Sequence, residues 1–205
     1  FQPQAPCHLA TLPPLRHNSG QAYNLAPPYV LYLGINKPHK NLPTLIRAWQ
    51  LVCQQIANPP TLVIAGAWDE RYPEAKAVTQ ELSLAQAVTF LGPVSDEDLP
   101  GLYAGADLFV FPSHYEGFGL PVIEAMACGT AVACAHTSSL PEVGGDAAAY
   151  FDPHDTNDMA QTIIHLLQNE GERNGRQQLG LQQASQFTWT KTAQATLTLY
   201  RHKSE

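Results

Sequence analysis

Short apolar runs alternate with longer amphipathic segments from Pro28 onward, and that alternation leaves few architectures open. The runs are YVLYLG (29–34), TLVIAG (61–66), AVTFLG (87–92), DLFVFP (107–112), AVACAH (131–136) and AAYFD (148–152). They are rich in Val, Ile, Leu and Phe and mostly apolar on both faces, as strands sandwiched between helices must be. Between them, LPTLIRAWQLVCQQI sets Leu45, Ala48, Trp49 and Val52 on one stripe, and DMAQTIIHLLQN does the same with Met159, Ile163, Leu166 and Leu167. SDEDLPGLYAGA opens on Ser95, a good helix N-cap with an acid three residues on, and TWTKTAQATLTLYRH closes the chain as another amphipathic helix. The pattern predicts an α/β fold, a doubly wound parallel sheet of about six strands flanked by helices.

Residues 1–27 are rich in Pro and Gln and lack periodicity, so they read as a linker. Residues 28–205 form one domain, with C-terminal helices over 155–203. The chain opens FQPQAP without a methionine, and the expectation is a piece of a longer protein. Acids outnumber bases 18 to 11, for a net charge of −7, which argues against a nucleic-acid partner needing a basic face. No apolar run approaches the length of a membrane span. The four cysteines (Cys7, Cys53, Cys128, Cys134) show no C-x-x-C spacing, so a reduced, cytoplasmic setting is expected, with Cys128 and Cys134 as buried packing residues. No H-x-x-x-H or H-E-x-x-H occurs among the eight histidines, so no metal site is expected.

In a doubly wound sheet the ligand sits beyond the carboxyl ends of the strands. That rule selects the loops 34–41, 66–70, 92–96, 113–120 and 136–142. In GINKPHKNL, Gly34 can turn sharply, and Lys37 and Lys40 put cations near the start of the next helix, where free amides favour an anion. The alternative is a basic loop with Asn41 capping a helix. In SHYEGFGLPVIEAMACGTAVA, Glu116 and Glu124 flank Gly117, Gly119 and Pro121. Pro121 suits the first helical position, which sets Glu124 in the first turn. The amides of Gly117, Phe118, Gly119 and Leu120 can then meet a pyrophosphate, with the acids accepting from sugar hydroxyls. The alternative makes Glu124 a dipole-pairing residue and Glu116 a solvated loop acid. The residues leave both pairs of readings open. SSLPEV (138–143) reads as a turn and short helix with a structural Glu142, His114 as a partly exposed loop residue, and Trp49 and Trp189 as core. Ser113 has no G-x-S-x-G context.

Taken in order, YVLYLGINKPHKNLPTLIRAW, LVIAG, VTFLGPVSDEDLPGLYAGADLFVFPSHYEGFGLPVIEAMACGTAVACA, SSLPEVGGDAAAYFDP and FTW resemble the C-terminal domain of a retaining glycosyltransferase of family 4, with the GT-B fold. The resemblance runs from about Tyr29 to Tyr200 and includes the family's E-x7-E motif as Glu116 and Glu124. It implies a donor-binding domain that moves a hexose, mannose or glucose, from a nucleotide-diphosphate sugar to a saccharide or lipid-linked acceptor. Glu116 would contact hydroxyls of the donor sugar, and Glu124 those of the ribose. The amides of Gly117 to Leu120 would hold phosphate or sugar oxygens, Lys40 would neutralise the diphosphate, and backbone around Val94 would meet the base. Neither a metal nor a cofactor is implied. The acceptor would bind an N-terminal domain absent from this chain, the fragment alone would be inactive, and the full enzyme would sit in the cytoplasm, docking peripherally at the inner face of the membrane. Two departures stand out. His39 occupies the place of the family's usual arginine, and Ile35 that of a basic residue in some members; Lys37 is the candidate to compensate. The competing functions are a non-catalytic nucleotide-sugar-binding module, or another GT-B enzyme such as a phosphorylase or epimerase.

Overall fold

A strand buried on both faces needs helices above and below, and the four central apolar runs also have neighbours on both edges, whereas the runs at 87–92 and 148–152 form the two edges of the sheet. The structure is a computed structural model and describes Leu25 and residues 27–202. The strands are β1 (Tyr29–Leu33), β2 (Thr61–Ala65), β3 (Val88–Gly92), β4 (Leu108–Phe111), β5 (Val132–Ala135) and β6 (Ala149–Phe151). The helices are α1 (Leu42–Gln55), α2 (Glu74–Glu81), α3 (Leu99–Ala104), α4 (Leu120–Ala127), α5 (Leu140–Gly144), α6 (Thr156–Gln168), α7 (Glu170–Ala184) and α8 (Trp189–His202). Apart from Leu25 and Pro27, the expected linker over residues 1–27, Cys7 included, lies outside the described residues.

All strands run parallel in the order β3-β2-β1-β4-β5-β6. β1 pairs with β2 from Tyr29↔Thr61 to Leu33↔Ala65, and on its other edge with β4 through Val30↔Leu108 and Leu31↔Phe109. The chain builds outward from β1 to β3, then crosses back to β4 and builds the other way. That reversal opens a crevice at the carboxyl ends of β1 and β4. Helix α1 contacts α2 and α6, and α4 contacts α3, α5 and α7, giving the three-layer order expected of a doubly wound sheet.

The predicted stripes account for most of the core. Leu45, Ala48, Trp49 and Val52 of α1 and Met159, Ile163 and Leu166 of α6 are buried, and α1 packs on α6. Trp49 is fully enclosed and its Nε1 donates to the Ala87 carbonyl at 3.2 Å. Trp189, expected in the core, is 70 % exposed, and no residue of α8 from Trp189 to Arg201 is buried. Its stripe is real, but none of the described elements covers it. Cys134 is buried, and burial pushes its thiol far above the ordinary range, whereas Cys128 is only half-buried. Ser95 does not cap a helix. Its hydroxyl accepts from the Asp98 amide at 3.3 Å and closes a turn, because α3 starts at Leu99 with Pro100 in its first turn, the place where a missing N–H costs least. Helix α7 has a weak sequence signal because it buries Gly180 and Ala184 rather than a large apolar stripe; a Cβ on Gly180 would lie 3.1 Å from Met126 Cγ of α4.

Asn41 ties the first loop to the sheet. It stands at the N-cap position of α1 but makes no cap bond. Its Nδ2 instead donates to the carbonyls of Pro112 (3.1 Å) and Pro153 (2.8 Å), at the ends of β4 and β6. The residue is 4 % exposed and holds the left-handed conformation, φ 59° and ψ 30°. Asn tolerates that region better than other non-glycine residues. Asn41→Ala is expected to cost about 2–4 kcal/mol, from two stranded carbonyls and a Cβ in a strained backbone. Asn41→Gly loses the same bonds without the strain and should be milder by about 1 kcal/mol, which urea denaturation of the two variants measures.

Candidate functional site

Two loops meet at the crevice between β1 and β4. After β1, a 3-10 turn over Pro38–Lys40 leads into Asn41, whose anchoring to Pro112 and Pro153 holds the turn against the sheet. The turn delivers Lys40, whose Nζ donates to Glu116 Oε1 at 2.6 Å and lies 5.3 Å from the centre of the Phe111 ring. The two side chains are only 16 % and 13 % exposed. Tyr32 lies buried in β1 close by, and burial together with the Glu116 charge raises its phenol far above the ordinary range. Lys37 and His39 are both exposed, so neither side chain joins the pair. The carbonyl of His39 accepts the His114 amide at 2.8 Å and so links the two loops directly.

The second loop, from Ser113 to Gly119, is held from the far side by three consecutive hydroxyl residues that follow β5. Thr137 Oγ1 donates to the His114 carbonyl at 3.3 Å, and Ser138 Oγ accepts the Glu116 amide at 3.0 Å. Ser139 Oγ donates towards the carbonyls of Phe118 (2.8 Å) and Glu116 (3.1 Å). These bonds fix alternate peptides of the loop. The amides of Gly117, Phe118, Gly119 and Leu120 have no acceptor among the described residues. Gly119 is the N-cap of α4 at φ 105°, and a Cβ there would sit 2.8 Å from Leu140 Cδ2, so both conformation and space require glycine. The Phe118 side chain meets Phe187 edge-on, with ring centres 6.1 Å apart.

Helix α4 begins at Leu120, one residue before the expected start, so Glu124 is its fifth residue and not part of the first turn. It therefore has no first-turn dipole role. It is half-buried and its Oε2 accepts from the Tyr103 hydroxyl of α3 at 2.9 Å. Of the other candidates, Gly34 ends β1 with its amide on the Ala65 carbonyl, 2.9 Å away. Val94 is half-buried just past β3, on the same rim but two strands from β1. His114 stacks on His154 at 4.5 Å, and desolvation, then the neighbouring imidazole, lowers its pKa. Ser138, Ser139 and Tyr103 were not identified as site residues from sequence. The first two lie in a loop the strand-end rule selects, but their partners are more than twenty residues away.

The arrangement offers one cation, four free amides and two carboxylates around a single crevice. Such a set can neutralise a polyanion while accepting bonds from hydroxyl groups.

Comparison with known proteins gives this geometry relatives. The family model described as glycosyl transferases group 1 matches residues 18–194. O-antigen chain mannosyltransferase B of Escherichia coli is 40 % identical over 186 residues, 88 % of this chain and 48 % of that protein. A D-inositol 3-phosphate glycosyltransferase of Mycolicibacterium smegmatis is 40 % identical over 147 residues, 71 % of this chain and 30 % of that protein. Among solved structures, sucrose-phosphate synthase of Thermosynechococcus elongatus superposes with a TM-score of 0.80 at 29 % identity, covering 90 % of this chain and 48 % of that one. Anabaena HepE, in complex with UDP and glucose, gives 0.77 at 25 % identity, covering 89 % of this chain and 51 % of that one. The chain thus spans about half the length, or less, of these relatives.

The Lys40–Glu116 contact can be tested without any ligand. In a double-mutant cycle, Lys40→Met and Glu116→Gln should each lose about 1–3 kcal/mol of stability. The double variant should lose less than the sum, with a coupling of about 1 kcal/mol or more by urea denaturation.

Proposed function

The chain belongs to the group 1 glycosyl transferases, with a domain of the GT-B type, and from that premise we propose that it is the donor-binding half of a retaining hexosyltransferase. The donor is a nucleotide-diphosphate sugar, with mannose favoured because several relatives are named mannosyltransferases. The acceptor is a saccharide or a lipid-linked saccharide, held mainly by the half of the enzyme that this chain does not span. The observation that carries the reading is the meeting of Lys40 and Glu116 at 2.6 Å where the strand order reverses, beside four free amides.

Each residue then has a role its surroundings allow. Lys40 and the amides of Gly117 to Leu120 take the diphosphate, on which charge grows as its bond to the anomeric carbon breaks and the electron pair leaves with it. Fixed donors in a partly dehydrated crevice stabilise that charge without reorganising. Glu116, released from Lys40 when the anion arrives, accepts from the sugar hydroxyls. Glu124, oriented by Tyr103, accepts from the ribose hydroxyls. Gly34 and Lys37 line the approach to the phosphates, and backbone at Val94 meets the base. The acceptor oxygen forms the new bond to the anomeric carbon, and its proton passes to an oxygen of the departing diphosphate. Because Lys40 and the amides carry the neutralisation, transfer is metal-independent. Among the described residues no helix is long and apolar enough to cross a membrane.

The test is calorimetric titration with nucleotide sugars carrying mannose or glucose. Lys40→Met and Glu124→Ala should each weaken binding roughly tenfold or more, the loss expected for a charge-assisted hydrogen bond. In the full-length enzyme, Glu116→Gln should abolish transfer, the product should keep the donor's anomeric configuration, and a chelator should leave the rate unchanged. Failure of every nucleotide sugar to bind, or indifference of binding to Glu124→Ala, would sink the proposal.

A further inference from the structure

Beside the acidic loop stands a pair of side chains that the roles above do not use. His114 follows Ser113 at the end of β4, and His154 lies in the turn between β6 and α6. Their imidazole rings stack almost parallel, with centres 4.5 Å apart and planes 18° from each other. The stack joins the loops of two strands that β5 separates in the sheet. Asn41 ties the same two loops through the carbonyls of Pro112 and Pro153, the residues just before Ser113 and His154. Glu116 lies two residues beyond His114, so whatever displaces His114 reaches the proposed donor site.

The two rings differ in their surroundings. His154 is exposed, on a turn held by its amide donating to Asp152 Oδ1 at 2.8 Å and by Asp155, which caps α6. His114 is half-buried on main chain pinned from both sides. Its amide donates to the His39 carbonyl at 2.8 Å, and its carbonyl accepts from Thr137 Oγ1 at 3.3 Å. Its Nδ1 is buried and has no hydrogen-bond partner among the described residues. In imidazolium both nitrogens carry a proton, and the one at Nδ1 would be enclosed without an acceptor. Desolvation, followed by the His154 imidazole, lowers the His114 pKa from its ordinary 6.5, and the Asp152 charge opposes the shift. The folded chain thus binds fewer protons than the unfolded one, so stability is full above that ordinary value and falls as pH drops through it.

We propose that the His114–His154 stack is a proton-sensitive clasp that positions the acidic loop for the donor. Its effect on binding rests on the donor site proposed above; the clasp itself does not. Neutral imidazoles stack readily, and one cation facing one neutral ring is still attracted to it. Two cations at this separation repel, and the enclosed Nδ1 proton adds to the cost, so His114 leaves its niche and takes Glu116 with it. The other charged and titratable groups around the pair are Lys40 and Glu116, bonded to each other, and Asp152, Asp155 and Asp158 about the His154 turn. The exposed His39 and His136, edge-on to Tyr150, complete the set. Ordinary carboxylates stay ionised down to about pH 5, which leaves the histidines as the groups that change between neutral and mildly acidic solution.

Calorimetry with UDP-glucose and GDP-mannose at about pH 7.5 and about pH 5.5 brackets the histidine range. Both probes are esterified at each end of the diphosphate, so neither carries the phosphate proton that titrates near pH 6. Affinity for whichever probe binds should fall about tenfold at the lower pH, the effect of about one unit of pKa difference between the closed and open loop. His154→Phe keeps a ring on His114 and removes one of the two charges, so it should bind normally at the higher pH and lose most of that fall. A fall that arises at His39 or His136 would survive the substitution. Amide hydrogen exchange without ligand reads the loop itself. The His114 and Glu116 amides, bonded to the His39 carbonyl and Ser138 Oγ, should lose protection at the lower pH, relative to their intrinsic rates, and keep it in His154→Phe. A fall of equal size in His154→Phe, or amides that stay protected at the lower pH, overturns the proposal. Absence of binding by both probes at both pH values overturns the donor reading, and the exchange of the two amides then decides the clasp.

Discussion

The parallel sheet is buried on both faces, and that constraint fixes where chemistry can happen. Parallel neighbours cannot be joined by hairpins, so every connection crosses over a face and carries a helix with it. Crossovers of one hand place α1 and α2 on one face while the sheet grows from β1 to β3. When the chain returns to β4, the same handedness puts α3, α4 and α5 on the other face. The loops after β1 and β4 must then leave in opposite directions, and the space between them cannot be filled by either connection. Lys40 and Glu116 occupy the two lips of that space.

The lips are held more firmly than a loop usually is. Asn41 anchors the first to the ends of β4 and β6, the His39 carbonyl ties it to the second, and Thr137, Ser138 and Ser139 brace the second from β5. The bracing satisfies the carbonyls of the acidic loop and one amide, and it leaves the four amides that follow with no acceptor. Gly117, Phe118 and Leu120 are exposed, so water can satisfy their amides, and the bracing holds the direction of those amides fixed. The Lys40–Glu116 pair keeps two largely dehydrated charges compensated through one oxygen of the carboxylate.

The strands and the larger helices were legible because each announces itself by a local period. The doubly wound parallel class followed from the alternation, whereas the strand order did not, and the strand-end rule selected five candidate loops, among them the two that carry Lys40 and Glu116. What stayed hidden depends on distance in sequence. Asn41 looks like a helix cap, yet its amide group serves Pro112 and Pro153, which no local pattern reveals. Ser138 and Ser139 look like a turn, and their use as a brace appears only when β5 is set beside β4. Trp189 has the spacing of a core residue, but spacing says which face is apolar and not whether anything covers it. Helix α7 fails in the opposite way, because glycine and alanine bury a helix by close approach without an apolar stripe to mark it.

The two glutamates of the E-x7-E pattern show how a spacing can mislead about partnership. On one continuous helix they would stand about 12 Å apart along its axis, too far to share a partner, and Gly117, Gly119 and Pro121 argue against such a helix. Gly119, left-handed and pressed against Leu140, breaks the chain between them. Glu116 is thereby left on a braced loop facing a cation, and Glu124 is carried into the second turn of a helix facing the Tyr103 hydroxyl. One carboxylate sits where charge can be exchanged, the other where a neutral donor fixes its orientation. What separates the two acids here is not their distance in sequence. It is the glycine turn that gives them different surroundings, and with them different chemistry.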